Sequence, residues 1–600
     1  MYIMRVRNEY PRPQVVRNNW TNLNGVWDFC YDDDNLGLEE KWYRGNKEFD
    51  RQIQVPFVYQ AKASGIGDVS AHDIVWYKNQ IELTKKQGKK TILHFGAVDY
   101  LADVFVNGEH VFHHEGGHTS FEVDITDSLV VQEKQLIVVR AFDPHKDESI
   151  PRGKQFWEDE SRGIWYTNTT GIWQTVWIEE VSETYIQKLR LTPLFDAGKV
   201  EIEAVLNKTL PAGILEFEIS FKGQLIAKGT QDLVGKKCVF DVELLQERIF
   251  RHNFHDDGIS WTPENPNLFD LKIAIVSQDE TIDLITSYFG LRKIHIENGM
   301  VYLNNKPYYQ KLVLDQGYWP EGLLTAPSDE DFVKDIQLAQ DMGFNGCRKH
   351  QKIEDPRFLY WADQMGFLVW GECASAPIYN NQAVNRLLKE WSEIIDRDYN
   401  HPCIVTWVPL NESWGVPNIH FNRQQQHFSQ TMYHYIHSID TTRLVISNDG
   451  WDATVTDICA IHNYSHGSKA EKQKYQVFKE TLRTKEKIIN HPSTSRDIYA
   501  QGFENKGEPI LLTEFGGIGF DVSGQPGWGY TSVENVEEYL EDYRRIMEAV
   551  FSSEILWGYC YTQLTDVEQE INGIVTYDRQ PKCDLSKIKE LNNLFHLTRI

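Results

Sequence analysis

The hydrophobic period of this chain changes once, near Gly290, and a fold built from one kind of unit cannot hold both halves. Before that point, apolar residues fall in short alternating runs broken by turn residues, the two-residue period of half-buried strands. In Ala102-Asp-Val-Phe-Val-Asn-Gly-Glu-His-Val-Phe112, Asn107 and Gly108 supply the two positive-φ positions of a type I′ hairpin. Similar runs at 91–95, 136–142 and 173–179 predict an N-terminal jelly-roll β-sandwich over residues 1–180. A second set, at 199–206, 214–221, 237–242, 270–276 and 282–288, follows the Glu180–Thr184 stretch. Its roughly one hundred residues predict an immunoglobulin-like β-sandwich over 181–291.

Beyond Gly290 the helical period takes over. Pro327-Ser328-Asp-Glu-Asp331 opens a helix with a Ser cap and an acidic third residue, and Phe332, Val333, Ile336, Ala339 and Met342 follow at helical spacing up to Gly343. A strand-like run, Phe344-Asn-Gly-Cys-Arg348, comes next. Eight such runs occur, near 309–314, 344–348, 366–371, 403–408, 443–448, 458–462, 509–514 and 555–561, most of them separated by helical patterns. Eight strands alternating with helices over 292–600 predict a C-terminal (β/α)8 TIM barrel, so the fold class is multidomain β plus α/β.

A length of 600 residues suits three or four such units, and 41% hydrophobic residues are enough to core them. Composition also narrows the partners. A net charge of −26 repels a phosphate backbone, which disfavours nucleic acid. No apolar window is long enough for a membrane span and Met1–Tyr10 has no signal-peptide core, so a soluble, unexported protein is expected. The eight cysteines stand singly without a Cys-x-x-Cys, which fits a reducing compartment, the cytoplasm. Eighteen tryptophans suit both sandwich cores and the faces of sugars.

Active sites of such barrels lie at the C-terminal strand ends. Ile404-Val-Thr-Trp-Val-Pro-Leu-Asn411-Glu412 ends the fourth run and Pro509-Ile-Leu-Leu-Thr-Glu514 ends the seventh. Those positions aim two glutamates across one barrel mouth, where a glycosidase needs an acid and a nucleophile. His113-His114-Glu-Gly-Gly-His118 is not expected to bind metal, because adjacent strand residues face opposite ways. No phosphate-binding glycine loop occurs, so neither metal nor cofactor is predicted.

These segments resemble glycoside hydrolase family 2, which includes β-galactosidases, β-glucuronidases and β-mannosidases. His401-Pro-x4-Trp407-x3-Asn411-Glu412 resembles its acid/base segment and Thr513-Glu514-Phe-Gly its nucleophile strand. Thr170-Gly-Ile-Trp173-Gln-Thr-Val-Trp177 resembles the end of its sugar-binding jelly roll. Trp261-Thr-Pro-Glu-Asn-Pro-Asn-Leu-Phe269 and Phe289-Gly-Leu-Arg292 resemble its middle domain and the barrel entry.

The resemblance implies Glu412 as acid/base, Glu514 as nucleophile, Asn411 as the partner of the sugar 2-hydroxyl, and Tyr464 as the tyrosine holding the nucleophile. The acid is expected to hold a proton near neutral pH while the nucleophile stays ionised. Arg348 takes a barrel-interior place. Lys349 and His350 stand where many members carry Ser-His-Tyr-Pro, and are expected to line the glycone pocket. Asp315, Glu372, His462, Trp557 and Tyr561 on other strand ends, and Trp165 in the long connection 151–165, complete the candidates. The implied activity is a retaining exo-β-glycosidase acting on a glycoside or small oligosaccharide, with a homo-oligomer left open. Where β-glucuronidases of the family carry Asn-x-Lys before Gly573-Ile-Val-Thr-Tyr-Asp-Arg-Gln-Pro-Lys582, this chain has Glu570 and Asn572. A carboxylate there repels a uronate, so β-D-galactosides are expected, with β-glucuronides, β-mannosides and arabinosides as alternatives. A carbohydrate-binding protein without activity is the alternative of another class.

Overall fold

The computed structural model describes residues 7–131, 133–245, 258–490, 496–522, 524 and 527–594, so the outermost residues of the first and last predicted units lie outside the described residues. Two antiparallel sheets form the first unit. One has six strands in the order Arg51–Val55, Gly25–Tyr31, Ile74–Glu82, Lys134–Phe142, Leu101–Val106, Glu109–Glu115. The other has four: Trp20–Asn22, Val176–Ser182, Lys89–Phe95 and Phe121–Asp124. Alternation sends Val75 and Tyr77 into the core between the sheets, with Phe29, Leu93, Phe95 and Ile178. The intervening Trp76 packs on the far face with Trp42 and Phe105, so the first half of this strand, Ile74 to Tyr77, is buried on both faces. Asn107 and Gly108 join two of the strands at φ of 51° and 84°, the expected hairpin.

The second unit departs from the predicted strand list: Ile186–Leu194 is a strand the list lacks, and 237–242 is the end of a longer one, Gln224–Glu243. Residues 199–206 and 214–221 are not separate strands but two halves of one bent strand, Lys199–Phe221. Its first half pairs with Ile186–Leu194 and its second with Phe269–Ser277, while Gln224–Glu243 follows it along both. Register shifts between Val205, Leu210 and Gly213, with Gly235 opposite at φ 100°, turn the ribbon from one layer to the other. The Pro211-Ala-Gly segment therefore makes a bend where sequence pattern suggests a turn. Ile202, Leu215, Ile219, Ile273, Ile285 and Phe289 fill the space enclosed.

All eight barrel strands occur: β1 Gln310–Asp315, β2 Gly346–Lys349, β3 Leu368–Glu372, β4 Ile404–Val408, β5 Leu444–Val445, β6 Cys459–His462, β7 Ile510–Gly516 and β8 Leu556–Thr562. They pair in parallel in the order 5-4-3-2-1-8-7-6. Asp457 links the two ends, donating its N–H to the Val445 carbonyl (2.9 Å) and accepting from the Val445 N–H (2.7 Å). Strand β5 is shorter than its apolar run because Asn448 and Asp449 leave the ladder to bond the loop after β4. The helices that bear on the site are α1 Asp329–Asp341, α2 Pro356–Met365, α3 Asn381–Asp398 and α4 Val536–Phe551. Ser328 opens α1 as predicted, but its hydroxyl donates to the Asp331 carboxylate (2.7 Å) and does not accept from a backbone N–H of the helix. No described helix is long and apolar enough to cross a membrane, and all eight cysteines are buried and unpaired.

Candidate active site

Strand geometry decides which side chains meet inside the barrel. Neighbours on β2 face opposite ways, so Arg348 points in and Lys349 points out. Fully buried, Arg348 bonds Glu372 through Nε (2.6 Å), Glu514 through Nη1 (3.0 Å) and Asn411 through Nη2 (2.6 Å), and lies 3.0 Å from Asp449. Burial works against its charge, but Asp449, Glu372 and Glu514 outweigh that and raise its pKa. One guanidinium thus ties together the ends of β2, β3, β4, β7 and the turn after β5.

Glu412 follows β4 in an unusual conformation. Glu412 and Ser413 both adopt left-handed backbone, φ 50° and 59°, which costs non-glycine residues energy. Three bonds hold the strained turn: Glu412 N–H to the Asp449 carbonyl (2.9 Å), Ser413 N–H to Asn448 Oδ1 (3.0 Å), and Trp414 N–H to the Asn411 carbonyl (2.9 Å). The Glu412 side chain emerges at the mouth, 19% exposed, and meets His462 Nδ1 through Oε1 at 2.8 Å. His462 Nε2 lies 3.2 Å from Asp449 and 3.5 Å from Glu514. Tyr464 donates its hydroxyl to Glu514 Oε2 (2.8 Å), meets Thr562 Oγ1 at 2.9 Å, and stacks on Tyr530 with centroids 3.5 Å apart. Oxygens of Glu412 and Glu514 and a nitrogen of His462 lie within 4.8 Å of one another. Those atoms have the makings of a cation site, but a cation there would displace the His462 hydrogen bonds beside the Arg348 guanidinium.

The charges sort themselves accordingly. Burial alone would lower the His462 pKa, yet Glu514, Asp449 and Glu412 hold it up at about 10, so the imidazole is cationic at neutral pH. Burial alone would raise Glu412, but the bond and charge of His462, with smaller contributions from His350 and Lys154, bring it below the ordinary carboxylate range. Asp449 is held at about 2, the Arg348 charge and the His462 bond outweighing burial. These shifts favour His462 over Glu412 as the holder of the proton expected on Glu412.

Of the residues singled out from sequence, Arg348, Glu372, Asn411, Glu412, His462, Tyr464 and Glu514 come together. His350 joins them, its Nδ1 lying 3.3 Å from Glu372 Oε1. Four residues do not. Lys349 leaves the barrel interior, pairs with Asp315 (2.7 Å) and Glu354 (3.0 Å), and packs over the Phe358 ring of α2. Asp315 is committed to that ion pair on the same outer side. On β8, Tyr561 packs against Phe515 and Tyr543 of α4, so it belongs to the layer between strands and helices. Trp557 shares its parity, sits at the start of the strand and packs on the barrel core away from the mouth. The inward residue near the mouth is instead Thr562, the partner of Tyr464. His113 pairs with Asp103 (2.8 Å) and His114 faces Glu393 (3.3 Å), so the histidine cluster does not converge.

The jelly roll completes the wall beside Glu412. Gly153 lies at φ 59°, and a Cβ there would come within 2.4 Å of the Gln351 carbonyl, so only glycine lets the segment dock. Its N–H donates to the Ser375 carbonyl (3.0 Å). Trp165, half-buried, meets the edge of Trp414 with centroids 4.9 Å apart. Sequence reasoning missed Asp449 and Tyr530. The polar Ser447-Asn-Asp449 triplet following β5 was a usable signal for the first, whereas Tyr530 lies in a segment without periodicity.

Models of known families match the chain throughout: the glycosyl hydrolases family 2 sugar binding domain over 20–180, the family's middle domain over 184–292, and its TIM barrel domain over 294–597. A β-galactosidase of Thermoanaerobacter pseudethanolicus is 27% identical over 57% of this chain. The chain spans 45% of that relative's length. The β-glucuronidase of Canis lupus familiaris is 24% identical over 97% of this chain and 91% of its own. A solved β-glucuronidase from an uncultured Clostridium superposes with a TM-score of 0.76 at 20% identity, covering 98% of this chain and 100% of that one. With the barrel model alone spanning half its residues, the chain belongs to glycosyl hydrolases family 2.

Proposed function

We propose that this protein is a retaining exo-β-glycosidase. The observation that carries the reading is the spacing of Glu412 and Glu514, whose oxygens approach within 4.8 Å. Retaining enzymes hold their carboxyl groups roughly 5–5.5 Å apart, inverting enzymes roughly 6.5–9.5 Å. Glu514 attacks the anomeric carbon as the bond to the leaving oxygen breaks, giving a glycosyl ester. Arg348 and Tyr464 orient it. The leaving oxygen takes its proton from the Glu412–His462 pair: His462 stores the proton and Glu412 delivers it. Water then attacks the ester, the pair recovers the proton, and Glu514 is released. Asn411 accepts from Arg348 through Oδ1, which leaves its amide nitrogen to donate to the 2-hydroxyl.

For the glycone we propose β-D-galactose, with α-L-arabinopyranosides as side substrates and β-mannosides less favoured. Glu570 supports a neutral sugar: buried, it accepts from Tyr166 Oη (2.6 Å) and Asn572 Nδ2 (3.2 Å). The nearby Lys582 is committed to Asp566 at 2.7 Å. The unpaired cysteines support a cytoplasmic location. A panel of nitrophenyl β-glycosides, with the first-formed anomer read by NMR, tests both levels. An inverted product refutes the retaining course, a faster β-glucuronide refutes the galactoside, and no turnover returns the protein to a binding role.

A further inference from the structure

Among the described residues, the buried cations hydrogen-bond carboxylates or, in the case of Arg292, backbone carbonyls, and the Lys154 ammonium does neither. Arg348 and Lys349 face carboxylates, as do Lys352, Arg386, Arg579 and Lys582. Lys154 is 6% exposed and, among the described residues, pairs with no carboxylate. Its ammonium lies over the rings of Tyr166 (5.4 Å) and Trp165 (5.8 Å), and its charge is felt by Glu412. Cation–π contacts of this kind offset only part of the cost of taking an ammonium out of water.

The neighbours hold it there. Arg152 pairs with Asp143 at 3.0 Å, Gly153 is wedged against Gln351, and Gln155 donates to Asp99 (2.8 Å) while accepting from Thr169. The Lys154 carbonyl accepts from Tyr166 N–H (2.8 Å). Tyr166 in turn donates to Glu570, and Trp165 meets Trp414 two residues beyond Glu412, so Lys154 stands between the segments that carry Glu412 and Glu570. A fixed ammonium in that place lacks only an anion.

We propose that Lys154 is the cation of a carboxylate subsite, so that the substrate carries a carboxylate within its reach. This rests on the glycosidase reading above and deepens it. Two sources share the chemistry: an acidic aglycone on a galactoside, or a uronic acid glycone. The test measures kcat/KM ratios within pairs of substrates, which cancel any effect of Lys154 on Glu412. The first pair is 3-carboxyumbelliferyl against 4-methylumbelliferyl β-D-galactoside, and the second is nitrophenyl β-D-galacturonide or glucuronide against the galactoside. A charge-assisted hydrogen bond predicts a preference of about 10–100-fold for the carboxylate member of one pair, collapsing in Lys154→Met and retained in part by Lys154→Arg. Preference in the first pair assigns the aglycone. Preference in the second assigns the glycone and removes the galactoside reading while this proposal stands. Ratios near one in both pairs, or a preference unchanged in Lys154→Met, overturn it. Should no glycoside be cleaved, the glycosidase reading fails, and calorimetry decides separately. Binding at least tenfold tighter for galacturonate or glucuronate over galactose, or for 3-carboxyumbelliferyl over 4-methylumbelliferyl β-D-galactoside, and only with Lys154 present, supports the subsite; equal binding in both comparisons refutes it.

Discussion

Replacing His462 by Asn removes the cation that faces Glu412, Asp449 and Glu514 and leaves an amide of similar reach. His462 titrates at about 10 in the folded chain and near 6.5 when unfolded. A raised pKa adds stability that is complete below about pH 6.5 and is lost as pH climbs through the folded value. The shift from 6.5 to about 10 caps that contribution at roughly 5 kcal/mol, since each pH unit is worth about 1.4 kcal/mol. Urea unfolding followed by tryptophan fluorescence at pH 6, 7, 8, 9 and 10 should therefore show the wild type losing stability across the window. His462→Asn should start lower and stay flatter, so the two converge by pH 10. The kcat/KM profile should respond too. With the imidazole present, the proton of the pair is retained towards pH 10; without it Glu412 must hold that proton alone, and the basic limb moves to lower pH. Parallel stability curves, or an unmoved basic limb, would refute the shared-proton account.

Arg348→Met strands three buried carboxylates and should cost about 3–5 kcal/mol in the same unfolding assay, with activity lost; a loss under about 1 kcal/mol would show the cluster is not held by that guanidinium. Gly153→Ala forces a Cβ towards the Gln351 carbonyl in left-handed backbone, so roughly 1–3 kcal/mol of stability and most of the turnover should go, with Lys154 displaced. Dialysis against EDTA should leave kcat/KM unchanged, because the reaction as argued needs only protein side chains. A loss restored by Mg²⁺ would show that Glu412, His462 and Glu514 take a cation after all.

How much of this was legible in the sequence depended on whether period or parity carried the information. Period did well: eight apolar runs became eight parallel strands, and the two glutamates ending the fourth and seventh meet across one mouth. Parity is not written in a four-residue run. Arg348 and Lys349 are equally polar neighbours, and only the finished ladder shows which faces in, because β1 and β2 set Asp315 beside Lys349 on the outer side. On β8 the large aromatics invited the wrong choice. Lys311 pairs with Tyr559 and Val313 with Tyr561 facing the helices, while Gln310 pairs with Gly558 and Leu312 with Cys560 facing the interior. Gly558 is small there because a Cβ would come within 2.8 Å of the Gln310 carbonyl and 2.9 Å of the Leu511 side chain. Protonation was less legible still. Family resemblance supplied an acid, but where the proton rests depends on His462 standing 2.8 Å from Glu412 and 3.2 Å from Asp449 at once. That arrangement joins three strand ends far apart in sequence. Lys154 is the extreme case, lying in a connection with neither period nor strand, where the docking of Gly153 against the barrel brings an ammonium towards Glu412. In such a barrel the scaffold can be read from local pattern, whereas charge and specificity arise where distant segments close on one another.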